Sequence, residues 1–323
     1  MGMWVQRAVG LLLILSAIAL ALLRTPDVPA SALVGRWAPA PSDFIDVKGQ
    51  TVHLRDEGPR HDGSAGTPPP LLLIHGTSSS LHTWEGWAKA LKGQRRVISF
   101  DLPGFGLTGP FEGQYERDNY HGDLYARFVL DLLDALKLQQ VVIAGNSLGG
   151  EVAWRTAVMA PQRVAGLVLV DAVGPRFTPL AVPLAFQLAR VPVLGRLGEF
   201  ALSKGLVAEG LHSVYGDPAR VTDAVIDRHH DLALREGNRR ALGLRVRQMV
   251  NGEHEERINT IKTPTLLLWG SRDRLVPPSV GQDFASRIAG SRLVLLEGLG
   301  HVPQEEDPVA SVAPVKAFLG FMP

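Results

Sequence analysis

Six short apolar runs constrain this chain more than any other feature: LLLI (71–74), VISF (97–100), VVIA (141–144), LVLV (167–170), TLLLW (265–269) and LVLL (293–296), separated by longer stretches able to form helices. Continuous rather than alternating apolarity is what a strand shows when helices cover both of its faces, so the pattern predicts an α/β domain around a mostly parallel sheet. Ahead of the first run, FIDVKGQTVHLRDEG reads as two strands turning at Lys48-Gly49-Gln50, and a loop rich in Gly and Pro follows from Pro59 to Pro70. One connection is far longer than the rest. Residues 172–262 include helix-like pieces such as PLAFQLARV and ALGLRVRQMV, which predicts a helical cap inserted at about 174–262. A surface excursion without a role is the alternative.

The N-terminal end has a different character. Residues 8 to 23 carry no charge and lie between Arg7 and Arg24. As a helix they reach about 24 Å, short of the roughly 30 Å hydrocarbon core, unless the flanking arginines snorkel. Residues 1–24 therefore read as a membrane anchor, with a signal peptide cleaved near Val28-Pro29-Ala30 as the alternative. Either reading puts the catalytic domain outside the cytoplasm, periplasmic or secreted. Residues 25–43 are proline-rich and read as an extended tether, and residues 44–323 as the globular domain.

Composition removes several function classes. The absence of cysteine excludes disulfides, thiolate nucleophiles and Cys-ligated metal centres. With 33 Lys plus Arg against 32 Asp plus Glu and no basic block interleaved with aromatics, the chain is a poor nucleic-acid partner. A small-molecule substrate is expected, the membrane is met through the N-terminal segment, and no protein partner is inferred.

The chemistry is expected at Gly145-Asn146-Ser147-Leu148-Gly149-Gly150, which lies directly after VVIA and directly before the helix-like EVAWRTAVMA. A serine between strand and helix must turn sharply, and Gly145 and Gly149 lack the Cβ atoms that would collide there. An ordinary Gly-rich turn is the alternative. A serine hydroxyl needs a histidine base and an acid to orient it. Asp273 follows TLLLWG and His301 follows LVLLEGLG, 126 and a further 28 residues on. Asp171 also ends an apolar run and is the second candidate for the acid. An oxyanion needs two converging N–H donors, expected from Leu148 and from Thr77 in the loop His75-Gly76-Thr77, with His75 shaping that loop. Trp84, Trp87 and Phe105 are candidate pocket walls, while Glu305, Glu306 and Asp307 are expected to cap the last helix.

Together LLLIHGTSSS, DLPGFGLTG (101–109), GNSLGG, GSRDRLVP and GLGHVPQEEDP resemble the α/β-hydrolase superfamily from about Phe44 to the C-terminus. The resemblance implies the α/β-hydrolase fold, a triad of Ser147, Asp273 and His301, an oxyanion hole at Thr77 and Leu148, and no cofactor or metal. The N-terminal hydrophobic segment is similar to that of bacterial lipase/esterase-like members, which implies hydrolysis of carboxylic esters. Meta-cleavage carbon–carbon hydrolases share GNS, but a Trp expected beside the base is replaced by Val302. Carbon–carbon cleavage or perhydrolysis on the same triad is the alternative activity, and a ligand-binding sensor the third.

Overall fold

The computed structural model describes residues 2–60 and 67–320. Eight strands form one sheet: β1 (Ser42–Val47), β2 (Gln50–Glu57), β3 (Leu71–Ile74), β4 (Val97–Phe100), β5 (Val141–Asn146), β6 (Val164–Val170), β7 (Thr265–Gly270) and β8 (Arg292–Leu296). Their order is β1-β2-β4-β3-β5-β6-β7-β8. The β1–β2 hairpin pairs antiparallel to itself and to β4, and every other pairing is parallel. All six apolar runs fall in strands, because each sends alternate residues into one of two cores. Leu72, Ile74, Val141 and Ile143 pack on one face of the sheet, and Leu71, Leu73, Val142 and Ala144 on the other. Part of the loop expected from Pro59 to Pro70, residues 61–66, lies outside the described residues.

The helices are α1 (Gly2–Leu23), α2 (Ala30–Trp37), α3 (Glu85–Leu91), α4 (Gly122–Ala135), α5 (Leu148–Met159), α6 (Leu184–Arg190), α7 (Pro192–Phe200), α8 (Lys204–Val214), α9 (Asp223–Ala233), α10 (Asn238–Gln248), α11 (Pro278–Arg287), α12 (Pro303–Glu306) and α13 (Pro308–Gly320). The five helices α6 to α10 all lie between β6 and β7 and stand over the carboxyl ends of the strands, where their side chains share a cavity with Ser147. Trp84 and Trp87, expected as pocket walls, instead pack together in the α3/α13 core, 5.0 Å apart, with Trp87 Nε1 donating to Ser311. Trp87 finds both apolar neighbours and a hydrogen-bond acceptor inside the core, whereas Trp84 is held there by apolar packing alone, its buried Nε1 having no partner among the described residues.

The N-terminal expectations need correction. Residues 8 to 23 do lie in a helix, yet among the described residues no helix is long and apolar enough to cross a membrane, so the spanning anchor finds no support. Residues 25–43 are not an extended tether either. Thr25 N–H donates to Phe200 O (2.7 Å), Val28 N–H donates to Leu234 O (2.7 Å), and Arg239 closes on Asp27 (2.6 Å) and on Thr25 O (2.7 Å). Helix α2 then lies on α9: Arg36 reaches Asp231 (2.7 Å) and Asp227 (3.1 Å), Trp37 Nε1 donates to Asp231, and Leu33 is buried with Leu107 and Leu232. Leu33, Val34 and Trp37 share one face of α2, so burying that face outweighs the local tendency of the prolines to keep the segment extended. Cleavage near Ala30 would strip Thr25, Asp27 and Val28 from the cap. Leu33→Ala is predicted to lower unfolding free energy by about 2–3 kcal/mol. Urea denaturation checks this, and an unchanged midpoint would contradict the packing role of the strap.

Candidate active site

Ser147 sits between the last residue of β5 and the first of α5 with φ 56° and ψ −115°. L-residues avoid this region, so the turn must be held by its surroundings. A Cβ on Gly149 would collide with the carbonyl of Ile74, and one on Gly145 with the carbonyl of Gly149. The two glycines thereby let α5 start directly against β3 and β5. Ser147 N–H donates to Val170 O (3.0 Å) and its carbonyl accepts from Val173 (3.1 Å), which fastens the turn to the end of β6. The positive end of α5 lies beside the Ser147 hydroxyl, and the N–H of Leu148, in the first turn, has no acceptor within the helix.

His301 and Asp273 meet as their placement after β8 and β7 predicts, with His301 Nδ1 2.7 Å from Asp273 Oδ2. The other oxygen of Asp273 accepts from Leu275 (2.8 Å) and Val276 (3.0 Å), so the carboxylate cannot rotate away. Asn146 Nδ2 donates to His301 O (2.9 Å) and Val170 O (3.2 Å), tying the histidine loop to the strand that carries Ser147. The signal for Asn146 was present in the sequence as a polar residue at the end of an apolar strand. Ser147, Leu148, Thr77 and His301 all border one cavity.

The loop carrying Thr77 is shaped by His75. Its Nε2 accepts from Leu102 N–H (2.9 Å), which leaves the proton on Nδ1 to donate to Gly76 O (2.7 Å). Burial lowers the His75 pKa, against the opposing charge of Asp101, so the ring is neutral and fixes the loop by geometry. Asp101 itself accepts from Leu81 (2.7 Å), Leu107 (2.8 Å) and His53 (2.7 Å). Burial pushes its carboxyl up, but the charge and hydrogen bond of His53, with His75 and His82, hold it below the usual range.

Asp171 is fully buried beside the His301–Asp273 pair, and one of its oxygens accepts from Gly270 N–H (2.9 Å). Donor atoms of Asp171, Asp273 and His301 lie within 4.8 Å of one another, a spacing suited to a metal ion among the described residues. The short Nδ1–Oδ2 hydrogen bond already occupies two of those atoms. Burial first, and then the charge of Asp273, raise the Asp171 pKa well above the usual carboxyl range, so Asp171 stays protonated. The hydrogen bond to Nδ1 makes Asp273, not Asp171, the carboxylate that faces His301.

The acidic run after His301 differs from expectation. Only Asp307 acts as a helix cap, accepting from Ala310 N–H (3.0 Å). Glu306 accepts from Gly300 (2.8 Å), Gly216 (3.0 Å) and Asp217 (2.8 Å), and His301 N–H donates to Val214 O (2.8 Å), so the base of the cap and the histidine loop form one unit. Glu305 accepts from Thr83 (2.7 Å) and pairs with Arg228 of α9.

The cavity has a volume of about 270 Å³ and is lined largely by apolar residues of the cap and core, among them Phe105, Val173, Leu206, Leu242, Val246 and Leu275. Its buried charges have partners in the protein: Arg239 with Asp27, Arg245 with Glu151, and Glu305 with Arg228.

A sheet of this order, with a serine on a strained strand–helix turn and a His–Asp pair at neighbouring strand ends, defines an α/β protein of the hydrolase kind. The chain belongs to the alpha/beta hydrolase fold family, whose model matches residues 69–308. It is 30% identical to a dihydrolipoyllysine-residue acetyltransferase component of an acetoin cleaving system from Pseudomonas putida over 83% of this chain, and spans 66% of that longer protein. It is 29% identical to a 2-hydroxymuconate semialdehyde hydrolase from a Pseudomonas species, covering 80% of this chain and 89% of that one. Among solved structures, a meta-cleavage product hydrolase from Pseudomonas fluorescens is similar with a TM-score of 0.71 at 25% identity, covering 86% of this chain and 97% of that one.

The protonation of Asp171 gives a prediction with a definite sign. A carboxyl whose folded pKa is raised adds stability below its unfolded pKa, and this is lost as pH rises toward the folded value. Asp171→Asn removes that loss, so it is predicted to stabilise the protein relative to wild type at about pH 8 and to be near neutral at about pH 4. Thermal unfolding of both proteins at both pH values checks this. An equal shift at the two pH values would contradict a protonated Asp171.

Proposed function

We propose that this α/β hydrolase cleaves carboxylic esters with an apolar acyl or alcohol part through an acyl-enzyme on Ser147. The observation that carries the proposal is the His301–Asp273 hydrogen bond at the edge of the cavity that Ser147 also borders. Ser147 Oγ adds to the ester carbonyl while His301 Nε2 takes its proton, and Asp273 stabilises the imidazolium so formed. The oxyanion is held by the N–H groups of Leu148 and Thr77, each worth about 3 kcal/mol of transition-state stabilisation. His301 returns the proton to the departing alcohol. Water then enters by the same route, giving up a proton to His301, and the acid leaves as Ser147 regains its hydrogen.

The apolar lining supports esters of apolar groups, since the buried charges Arg239, Arg245 and Glu305 at the cavity are already matched by protein partners. Carbon–carbon cleavage of a dienone on the same residues is the second reading. The names of the semialdehyde hydrolase and the meta-cleavage product hydrolase favour it. Val302 follows His301 and borders the cavity where that reading expects a Trp.

Steady-state turnover of p-nitrophenyl esters from acetyl to palmitoyl tests the proposal. Activity on medium-length chains is expected, with Ser147→Ala lowering kcat about 10⁴-fold or more. Dienone turnover far above that of every ester would replace the ester reading with carbon–carbon cleavage, and ester turnover unaffected by Ser147→Ala would remove Ser147 as the nucleophile.

A further inference from the structure

The outer face of the cap is unusually apolar. Val193 is 71% exposed, Leu180 68% and Phe200 58%, Leu184 and Val191 are also exposed, and so is Leu194, which borders the cavity as well. All six fall within one 21-residue stretch on and around α6 and α7, which pack against each other. Apolar side chains exposed in such a group mark an interaction surface, whereas Met159, Leu295 and Val309 elsewhere stand in separate elements.

Two further observations identify what covers this face. The first is continuity: Thr25, the second residue after α1, is held by Phe200 O (2.7 Å) and Leu202 O (3.3 Å), so α1 joins the domain at the end of the cap patch. α1 itself exposes Trp4, Val5, Val9, Leu11, Leu13 and Ile14. The second is charge. Arg7 and Arg24 flank the apolar run of α1, Arg190 and Arg196 lie within the patch, and all four are exposed. Glu199 is the one acid between residues 174 and 204, and Asp27 is already taken by Arg239. An apolar face interspersed and flanked with arginines suits an anionic lipid surface, with the apolar side chains entering the headgroup layer and the guanidinium groups pairing with phosphates.

We propose that α6 and α7 of the cap, together with α1, form a docking surface for an anionic lipid bilayer, on which the protein lies without crossing it. The strap brings the two parts together at one point, because Thr25 and Asp27 fix the exit of α1 to Phe200, Leu202 and Arg239 of the cap. The same two helices wall the cavity through Phe186, Leu188 and Gly198. If the ester reading holds, the substrates are esters partitioned in that lipid, reached across a single layer of helix.

The test reads binding, not turnover, so it stands apart from the hydrolase reading. The chain has no cysteine, so Val193→Cys and, on the opposite end of the sheet, Gln140→Cys can each carry one environment-sensitive fluorophore on the full chain. With vesicles of phosphatidylcholine and phosphatidylglycerol, emission at Val193 is expected to shift to the blue and rise about twofold or more, with no change at Gln140. Vesicles of phosphatidylcholine alone should give a weaker response, and Arg24→Glu with Arg196→Glu should weaken binding to the anionic vesicles about tenfold or more. Binding that leaves the Val193 probe in water would mean attachment through α1 alone and overturns the proposal. So would the absence of binding, equal shifts at both positions, or a concentration-dependent shift without vesicles, which would assign the patch to a second copy of the chain.

Discussion

The site depends on a backbone that its own residue resists. Ser147 is held at φ 56°, a conformation that costs on the order of 1–3 kcal/mol for a residue with a Cβ. The cost is offset by close packing on every side: Gly149 against Ile74, Gly145 against the first turn of α5, and Ser147 itself hydrogen-bonded to the end of β6. Because the strain sits at the junction of strand and helix, the hydroxyl, the positive helix end and the Leu148 N–H come to one point. Relaxing the turn would separate all three, so the glycines around Ser147 hold the geometry of the site although they have no reactive group.

The cap is fastened over that point by charge. Glu306 joins the loop between α8 and α9 to the loop of His301, Arg228 of α9 meets Glu305, and Arg245 of α10 meets Glu151 of α5, the helix that begins after Ser147. Buried pairs of this kind add little net stability over apolar packing, but breaking one leaves an unmatched charge at a cost of about 3–5 kcal/mol. They therefore specify where the cap sits. The strap from Thr25 to Trp37 does the same on the outer side, with Leu33 supplying the apolar contact that the ion pairs of Asp27 and Arg36 only orient.

Much of this was legible in the residues, and the parts that were not share a cause. Strands β3 to β7 announce themselves because burial on both faces leaves continuous apolar runs, the edge strand β8 keeps such a run although Leu295 is exposed, and Ser147, Asp273 and His301 stand out because each must follow such a run. The loop-shaping role of His75 followed from its place at the end of β3. The helical strap did not: its determinants are pairings such as Asp27 with Arg239 and Arg36 with Asp231, some two hundred positions apart, and such pairs leave no local period. Prolines at 26, 29, 39 and 41 gave the local signal of an extended segment, which tertiary burial of Leu33 reverses. Trp84, Trp87 and Glu306 were misread for a similar reason. A short segment shows that a residue is apolar or acidic, but which of several available partners it meets is decided by the packing of elements distant in the chain.

The central claim is that Ser147 is a nucleophile made reactive by His301 and Asp273 together. Intact-mass measurement with peptide mapping after exposure to a fluorophosphonate tests it most directly, on wild type and on Asp273→Asn. A single adduct mapped to Ser147, formed about 10⁴-fold more slowly in the variant, is the predicted result. An unmodified wild-type chain after prolonged exposure, or labelling at the same rate without the Asp273 carboxylate, would contradict it.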